Sequence, residues 1–256
     1  MTDFRKEVAM RLDAVSTDTE LNNAAKEFLL ASFAKKYSYN FSWQDRPIIQ
    51  YPQDMVAMQE IIWSVQPDLI IETGIAHGGS LIFSASMLAL LDMVDAIQTG
   101  ETINPKISQR KVLGLDIDIR PHNLAAIQAH PMSSRIEMIQ GSSIDPAIVD
   151  QVKSIAKGYK KVLVCLDSNH THEHVLAELE AYAPLTSVGS YCVVFDTLVE
   201  DLTDDLCMDR PWGPGDNPKT AVWEYLKTHS EFEIDQSIQN KLLVTVASDG
   251  YLKRVK

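Results

Sequence analysis

An α/β fold with a doubly wound, mostly parallel sheet is the expectation from three features of this 256-residue chain. Short runs that read as strands recur at 69–71, 111–115, 135–139, 161–166 and 190–195, and those at 69–71 and 161–166 are apolar almost throughout, as strands buried on both faces require. Helical stretches alternate with them, which gives βα units and hence a parallel sheet. Four of the runs stop on an acid, Glu72, Asp116, Asp167 and Asp196. The carboxyl ends of parallel strands are where such folds hold their ligands.

The most informative stretch is 67–79, PDLIIETGIAHGG. An apolar strand ends at Glu72, turns through Gly74, Gly78 and Gly79, and opens a helix predicted over 80–92. Glycine lets such a turn take positive φ and brings backbone close to a ligand, and the helix start offers unpaired N–H groups. Three residues separate Gly74 from Gly78, so the dinucleotide fingerprint G-x-G-x-x-G fails. What remains, E-T-G-x-x-x-G-G, is the shorter form found in S-adenosylmethionine binders. That cofactor has no pyrophosphate, and an acid beside the turn meets its cationic amino-acid end. Glu72, Thr73, Gly74, Gly78 and Ser80 are therefore candidate cofactor contacts. The competing reading is an ordinary tight βα turn.

Length and an apolar content of 45% suffice for one large domain or two small ones, with no compositional sign of disorder. Against 23 Lys and Arg stand 35 Asp and Glu, a net charge of −12. That balance argues against nucleic acid as the main partner, since phosphate binding needs clustered positive charge. Three cysteines, Cys165, Cys192 and Cys207, fit a reducing compartment. No apolar core follows Met1 and no 18-residue apolar run stands out, so neither a signal peptide nor a membrane span is expected. A soluble cytoplasmic protein is the expectation.

Residues 1–36 have helical periodicity, with Leu21, Ala24, Ala25, Phe28, Leu29 and Phe33 on one face and Thr17 or Thr19 as candidate cap. Such a helix covers a core edge or packs on a partner subunit. Residues 37–54 carry five aromatics and two prolines, too broken for a long regular element. They read either as a lid over the first domain helix or as the wall of a ligand pocket. The expected division is an extension over 1–53 and a catalytic domain over 54–256. A helix is expected over 54–66, followed by the glycine turn and helix already described. A polar loop follows over 95–110.

At the tip of the second strand Asp116 can accept both ribose hydroxyls, with Asp118 as substitute. Gly141-Ser142-Ser143 follows the third strand, where it would flank an adenine. The fourth strand ends in Asp167-Ser168-Asn169-His170-Thr171-His172-Glu173-His174, where five of eight side chains carry charge or bind metal. Asp167 and Asp196, on neighbouring strand ends, could converge on a hard cation such as Mg²⁺. Residues 200–219, acidic and then Pro/Gly-rich, read as a loop or lid. After a helix over 220–229, 232–235 and 242–247 look like a closing antiparallel pair.

Taken together, Tyr37-Ser38-Tyr39-x-Phe41-x-Trp43, Pro47-Ile48-x-Gln50-x-Pro52, Ile71-Glu72-x-Gly74, Gly78-Gly79-Ser80, Asp116-Ile117-Asp118, Gly141-Ser142-Ser143, Leu166-Asp167-Ser168-x-His170 and Asp196-Thr197 resemble the cephalosporin hydroxylase / rhamnosyl O-methyltransferase family. The resemblance covers about residues 37–220. It implies a class I methyltransferase fold, Rossmann-like, with a seven-stranded sheet behind an N-terminal helical extension. It also implies S-adenosyl-L-methionine as cofactor, Mg²⁺-assisted transfer to a hydroxyl of a sugar or other small molecule, and a homo-oligomer.

Carried over by position, Glu72 and Gly74 line the methionine end, Asp116 the ribose, and Ser142 or Ser143 the adenine. Asp167 and Asp196 hold the metal and His170 is the general base. Where the family pattern has Glu-Asp this chain has Phe195-Asp196, and Thr197 is the substitute oxygen donor. A metal hydrolase built on the His-rich loop and a non-catalytic cofactor-binding subunit are the rival readings.

Overall fold

Helices α1 (Thr2–Thr17) and α2 (Thr19–Phe33) open the chain. They are followed by a two-residue hairpin, β1 (Ser42–Trp43) and β2 (Arg46–Pro47), and by α3 (Pro52–Val65). The βα alternation then runs β3 (Leu69–Thr73), α4 (Gly79–Thr99), β4 (Lys111–Asp116), α5 (Pro121–Ala129), β5 (Ile136–Gln140), α6 (Pro146–Ala156), β6 (Val162–Leu166), α7 (His172–Tyr182) and β7 (Tyr191–Val194). It closes with α8 (Pro218–Tyr225), β8 (Phe232–Ile234), α9 (Gln236–Leu242) and β9 (Tyr251–Arg254). The computed structural model describes residues 2–256, without the side chains of Thr2 and Asp204.

One seven-stranded sheet has the order β5-β4-β3-β6-β7-β9-β8. The five strands β3 to β7 run parallel, and β9 is antiparallel to both β7 and β8. The doubly wound sheet with an antiparallel edge is as the sequence predicts. All residues of β3 and β6 are buried, because helices cover both faces. Ile70, Val112, Leu163 and Val193 pack under α3 and α4, whereas Leu69, Ile71, Leu113 and Val164 pack under α6, α7 and α8. The strand order reverses between β3 and β6, so the tips of β4, β3, β6 and β7 share one crevice.

Four expectations are corrected. Asp18, not a threonine, caps α2 by accepting the Leu21 N–H; a carboxylate is the stronger acceptor. Helix α4 runs on to Thr99, because no breaker precedes Gly100, which takes φ 76° and accepts no further turn. The 95–110 loop is correspondingly shorter, and Arg110 ties it to Asp92 and Asp95. Helix α4 is also long and apolar enough to cross a membrane, with half of its most apolar window buried. Its buried residues Leu81, Ile82, Phe83, Ala85, Leu88 and Leu91 belong to the domain core, as a helix over a sheet requires.

The fourth correction concerns 242–247, which forms no strand; β9 pairs β8 instead. Leu243 has φ 60°, outside strand geometry. Val244, Val246 and Ala247 are buried all the same. Asp54, on α3 and fully buried, holds this segment by accepting from the Thr245 hydroxyl, from Val246 N at 3.0 Å and from the Tyr251 hydroxyl at 2.8 Å. Hydrogen bonds to a charged group are worth roughly 1.5–3 kcal/mol each, enough to seat a loop that has no ladder.

Helix α2 covers a core edge. Ala25, Leu29, Leu30 and Phe33 pack against the core, and the Ser32 hydroxyl meets the buried Tyr51 hydroxyl at 2.8 Å. The aromatic segment divides its labour. Trp43 packs edge-on against Phe83 at 4.9 Å, whereas Tyr39 stays exposed.

Candidate active site

A cavity of about 620 Å³ opens at the carboxyl end of the sheet. Its floor is the turn after β3, with Gly74, Ile75, Ala76, His77 and Ser80, together with Asp167, Ser168, His170 and Asp196 from the tips of β6 and β7. One wall is the N-terminal segment with Phe33, Tyr39, Ile48 and Gln50, and the other is the 200s segment with Leu202, Leu206, Cys207, Met208 and Trp212. The 37–54 segment, read from sequence as lid or pocket wall, and the 200–219 segment, read as loop or lid, both line this space.

Gly74 takes φ 88°, and a Cβ there would run into the Asp167 carbonyl. Only glycine lets the tips of β3 and β6 approach this closely. Gly78 also has positive φ, but its missing Cβ makes room for Ile127; it does not line the cavity. Thr73 is buried, and both its carbonyl and its hydroxyl accept the Asp167 N–H, at 3.0 and 3.3 Å.

Asp167, His170 and Asp196 come together: one ligand atom from each lies within 4.8 Å of the others. His170 Nε2 is 3.1 Å from Asp196 Oδ2, and the His170 side chain is only 16% exposed. Asp196 adopts φ 55°, a left-handed conformation that costs on the order of 1–3 kcal/mol unless its surroundings enforce it. The β6–α7 loop is shaped by Asn169, whose Oδ1 accepts both the N–H and the hydroxyl of Thr171 at 2.9 Å. Trp212 from the 200s segment stands edge-on to the His170 ring at 4.7 Å and 87°.

Burial raises the Asp167 carboxyl well above the usual carboxylate range, and the nearby Asp196 and Glu72 charges push it further. Burial also raises Glu72 to about 7, against the Ser80 hydroxyl that donates to it. Asp54 rises to about 6, again from burial and against its three donors. A carboxyl with a raised folded pKa stabilises the fold below its unfolded value and loses that contribution as pH climbs through the folded one. Shifts of this size correspond to on the order of 3 kcal/mol for each of Glu72 and Asp54. Scanning calorimetry of the ligand-free chain should give a higher Tm near pH 5 than near pH 8. A Tm that is flat or rising over that interval contradicts these two shifts.

Other candidates lie elsewhere. Asp116 sits at the tip of β4 beside β3, where its Oδ2 accepts from Ile75 N at 2.8 Å and Ala76 N at 3.2 Å, and its Oδ1 from Asp118 N at 3.0 Å. Ser143 is buried with its hydroxyl 3.0 Å from His174 Nε2. Asp116, Ser142, Ser143 and Glu72 do not line the main cavity; Glu72 lines a small pouch behind it with Gln50, Asp54, Ser80, Asp167 and Phe195.

His172 and His174 are occupied outside the cluster. His172 Nδ1 meets the Thr220 hydroxyl at 2.8 Å, and His174 Nε2 lies 3.6 Å from the fully buried Glu178. Thr197 is wholly buried and donates to the Val246 carbonyl at 3.3 Å. It does not line the main cavity.

Sequence reasoning missed Gln50 in a defined place: its Nε2 lies 3.4 Å from Asp167 Oδ2. Its position in Pro47-Ile48-x-Gln50-x-Pro52 was the available signal. It missed Trp212 as a neighbour of His170, for which the sequence carried none.

The family model described as Rhamnosyl O-methyltransferase/CmcI matches residues 35–255. A rhamnosyl O-methyltransferase of Mycobacterium leprae (strain TN) is 30% identical over 229 residues, covering 87% of this chain and 89% of its own. One from Mycobacterium bovis (strain BCG / Pasteur 1173P2) is 31% identical over 203 residues, covering 78% and 73%.

Among solved structures, CmcI with Mg and SAM superimposes with a TM-score of 0.54 at 16% identity, over 85% of this chain and 78% of that one. Apo CalS11, a TDP-rhamnose 3′-O-methyltransferase, gives 0.50 at 16%, over 85% and 89%. These two likenesses establish the class I methyltransferase fold. The match over residues 35–255 shows that the chain belongs to the Rhamnosyl O-methyltransferase/CmcI family.

Proposed function

We propose that this chain is an S-adenosylmethionine-dependent O-methyltransferase acting on a sugar hydroxyl, with Mg²⁺ held by Asp167 and Asp196 and with His170 as general base. The observation that carries the reading is the Asp167–His170–Asp196 cluster in the same cavity as the Gly74 turn. The residues fit both groups. Acidic side chains around the pouch and cavity suit a sulfonium and an ammonium, and the close approach that Gly74 permits leaves backbone free of side chains there. The carboxylate oxygens suit a hard cation that prefers oxygen and keeps some water. The rhamnosyl methyltransferases among its relatives support a sugar as acceptor.

When bound, the cofactor supplies the electrophilic methyl group and the cation acidifies the acceptor hydroxyl. The chain's own residues do the rest. Mg²⁺ favours oxygen over imidazole, which leaves the His170 lone pair for the proton. The 3.1 Å contact with Asp196 fixes the ring and favours the imidazolium that proton uptake creates. Trp212 excludes water from one side of that ring. Glu72 meets the cationic methionine end, and Asp116, which keeps lone pairs beyond its backbone contacts, meets the ribose.

Calorimetric titration with S-adenosylhomocysteine, with and without Mg²⁺, tests the reading, followed by transfer of labelled methyl from S-adenosylmethionine to rhamnosides. Binding and transfer support it. No binding, with hydrolytic activity instead, favours a metal hydrolase. The buried Phe195, which stands where the family pattern has an acid, and the buried Thr197 favour one further reading, a cofactor-binding subunit without catalysis; binding with no transfer to any rhamnoside would select it.

A further inference from the structure

The turn between β3 and α4 is held from outside by side chains of three separate elements. Asp116, at the β4 tip, accepts the N–H groups of Ile75 and Ala76. Asn123, on α5 and buried, donates from Nδ2 to the Ala76 carbonyl at 2.8 Å. Arg46, on the N-terminal hairpin, donates from Nε at 3.0 Å and Nη2 at 2.5 Å to the His77 carbonyl, and from Nη2 to Asn123 Oδ1 at 3.0 Å. Arg46, Asn123 and the turn thus form one continuous hydrogen-bonded chain.

Two observations indicate that this chain serves the shape of the turn. Ala76 has φ 46°, and a non-glycine residue stays in that region only where its neighbours over-determine it. Arg46 forms no ion pair among the described residues. Its planar fork, suited to several acceptors at once, is directed to a carbonyl and an amide oxygen. The hairpin itself is anchored: the Trp43 indole donates to the Ser86 hydroxyl at 3.1 Å, and the Gln44 carbonyl meets His130 Nε2 at 3.1 Å. Arg46 and Asn123 do not line the cavity, but Ala76 and His77 do.

We infer that Arg46 and Asn123 are positioning residues for the nucleoside cofactor, holding the 74–78 turn in its binding shape, so that the N-terminal hairpin is a working part of the cofactor site. The inference rests on the methyltransferase reading. A turn already in its bound shape needs no ordering when the ligand arrives, and the saving appears as affinity.

The test is titration calorimetry with S-adenosylhomocysteine on the full chain and on Arg46→Ala, with folding checked by circular dichroism. The expected result is a Kd raised about tenfold or more, restored toward wild type by millimolar guanidinium chloride but not by the same concentration of sodium chloride. A folded Arg46→Ala chain within about threefold of wild type, or a loss that guanidinium leaves in place, overturns the inference alone. Should Arg46→Ala not fold, Asn123→Ser takes its place, and a Kd within about threefold of wild type overturns the inference in the same way. Wild-type chain that does not bind S-adenosylhomocysteine overturns the methyltransferase reading and this inference with it.

Discussion

His170→Ala is expected to lower kcat by about 10²- to 10⁴-fold, the usual contribution of a positioned general base, while S-adenosylhomocysteine affinity stays within about threefold of wild type. The split follows from where the ring sits. Its Nε2 faces Asp196 at 3.1 Å and its flank meets Trp212, the part of the cavity that the proposed mechanism assigns to the acceptor. The other loop histidines cannot substitute. His172 is bonded to Thr220, and His174 lies among Ser143, Ser168 and Glu178. Single-turnover kinetics beside calorimetry checks the prediction. Equal losses in cofactor binding and turnover would make His170 a cofactor contact and leave the base unassigned.

Asp196→Asn is expected to cost about 100-fold or more in kcat and to abolish the response to Mg²⁺, since cation assistance of this kind is worth several kcal/mol. Asparagine keeps the size and one oxygen but removes one of the two negative charges that the cluster offers a cation. The asparagine oxygen also accepts more weakly than a carboxylate from a protonated His170, so two effects fall on one substitution. Wild type stripped with EDTA should lose activity and regain it with Mg²⁺, whereas the variant should be indifferent to both treatments. Activity of the wild type that survives EDTA would remove the metal from the account and leave Asp196 as a partner of His170 only.

The parts of this site that could be read from sequence are those that local pattern encodes. Glu72, Asp116, Asp167 and Asp196 each end an apolar run, and the parallel sheet carries all four tips to one edge. Gly74 was legible for the same reason, being the residue after the strand. The Arg46–Asn123 contact spans 77 positions and the Gln50–Asp167 contact spans 117, and no periodicity within either segment encodes such pairings.

Apolar alternation at Leu242, Val244 and Val246 imitated a strand. Leu242 instead ends α9, and Val244 and Val246 are buried in a loop pinned by Asp54, which in the sequence is an ordinary acid in the first turn of a helix. The same blindness hid the raised carboxyls. A residue type announces a charge, but only packing tells how much of its water is lost.

The most direct measurement is a crystal structure of the chain with S-adenosylhomocysteine and Mg²⁺. The account predicts the cofactor product over the Gly74 turn, with its sulfur facing the space in front of Asp167 and His170 and the ion on the carboxylates of Asp167 and Asp196. A cavity left empty by the nucleoside, or an ion bound away from those two carboxylates, would contradict it.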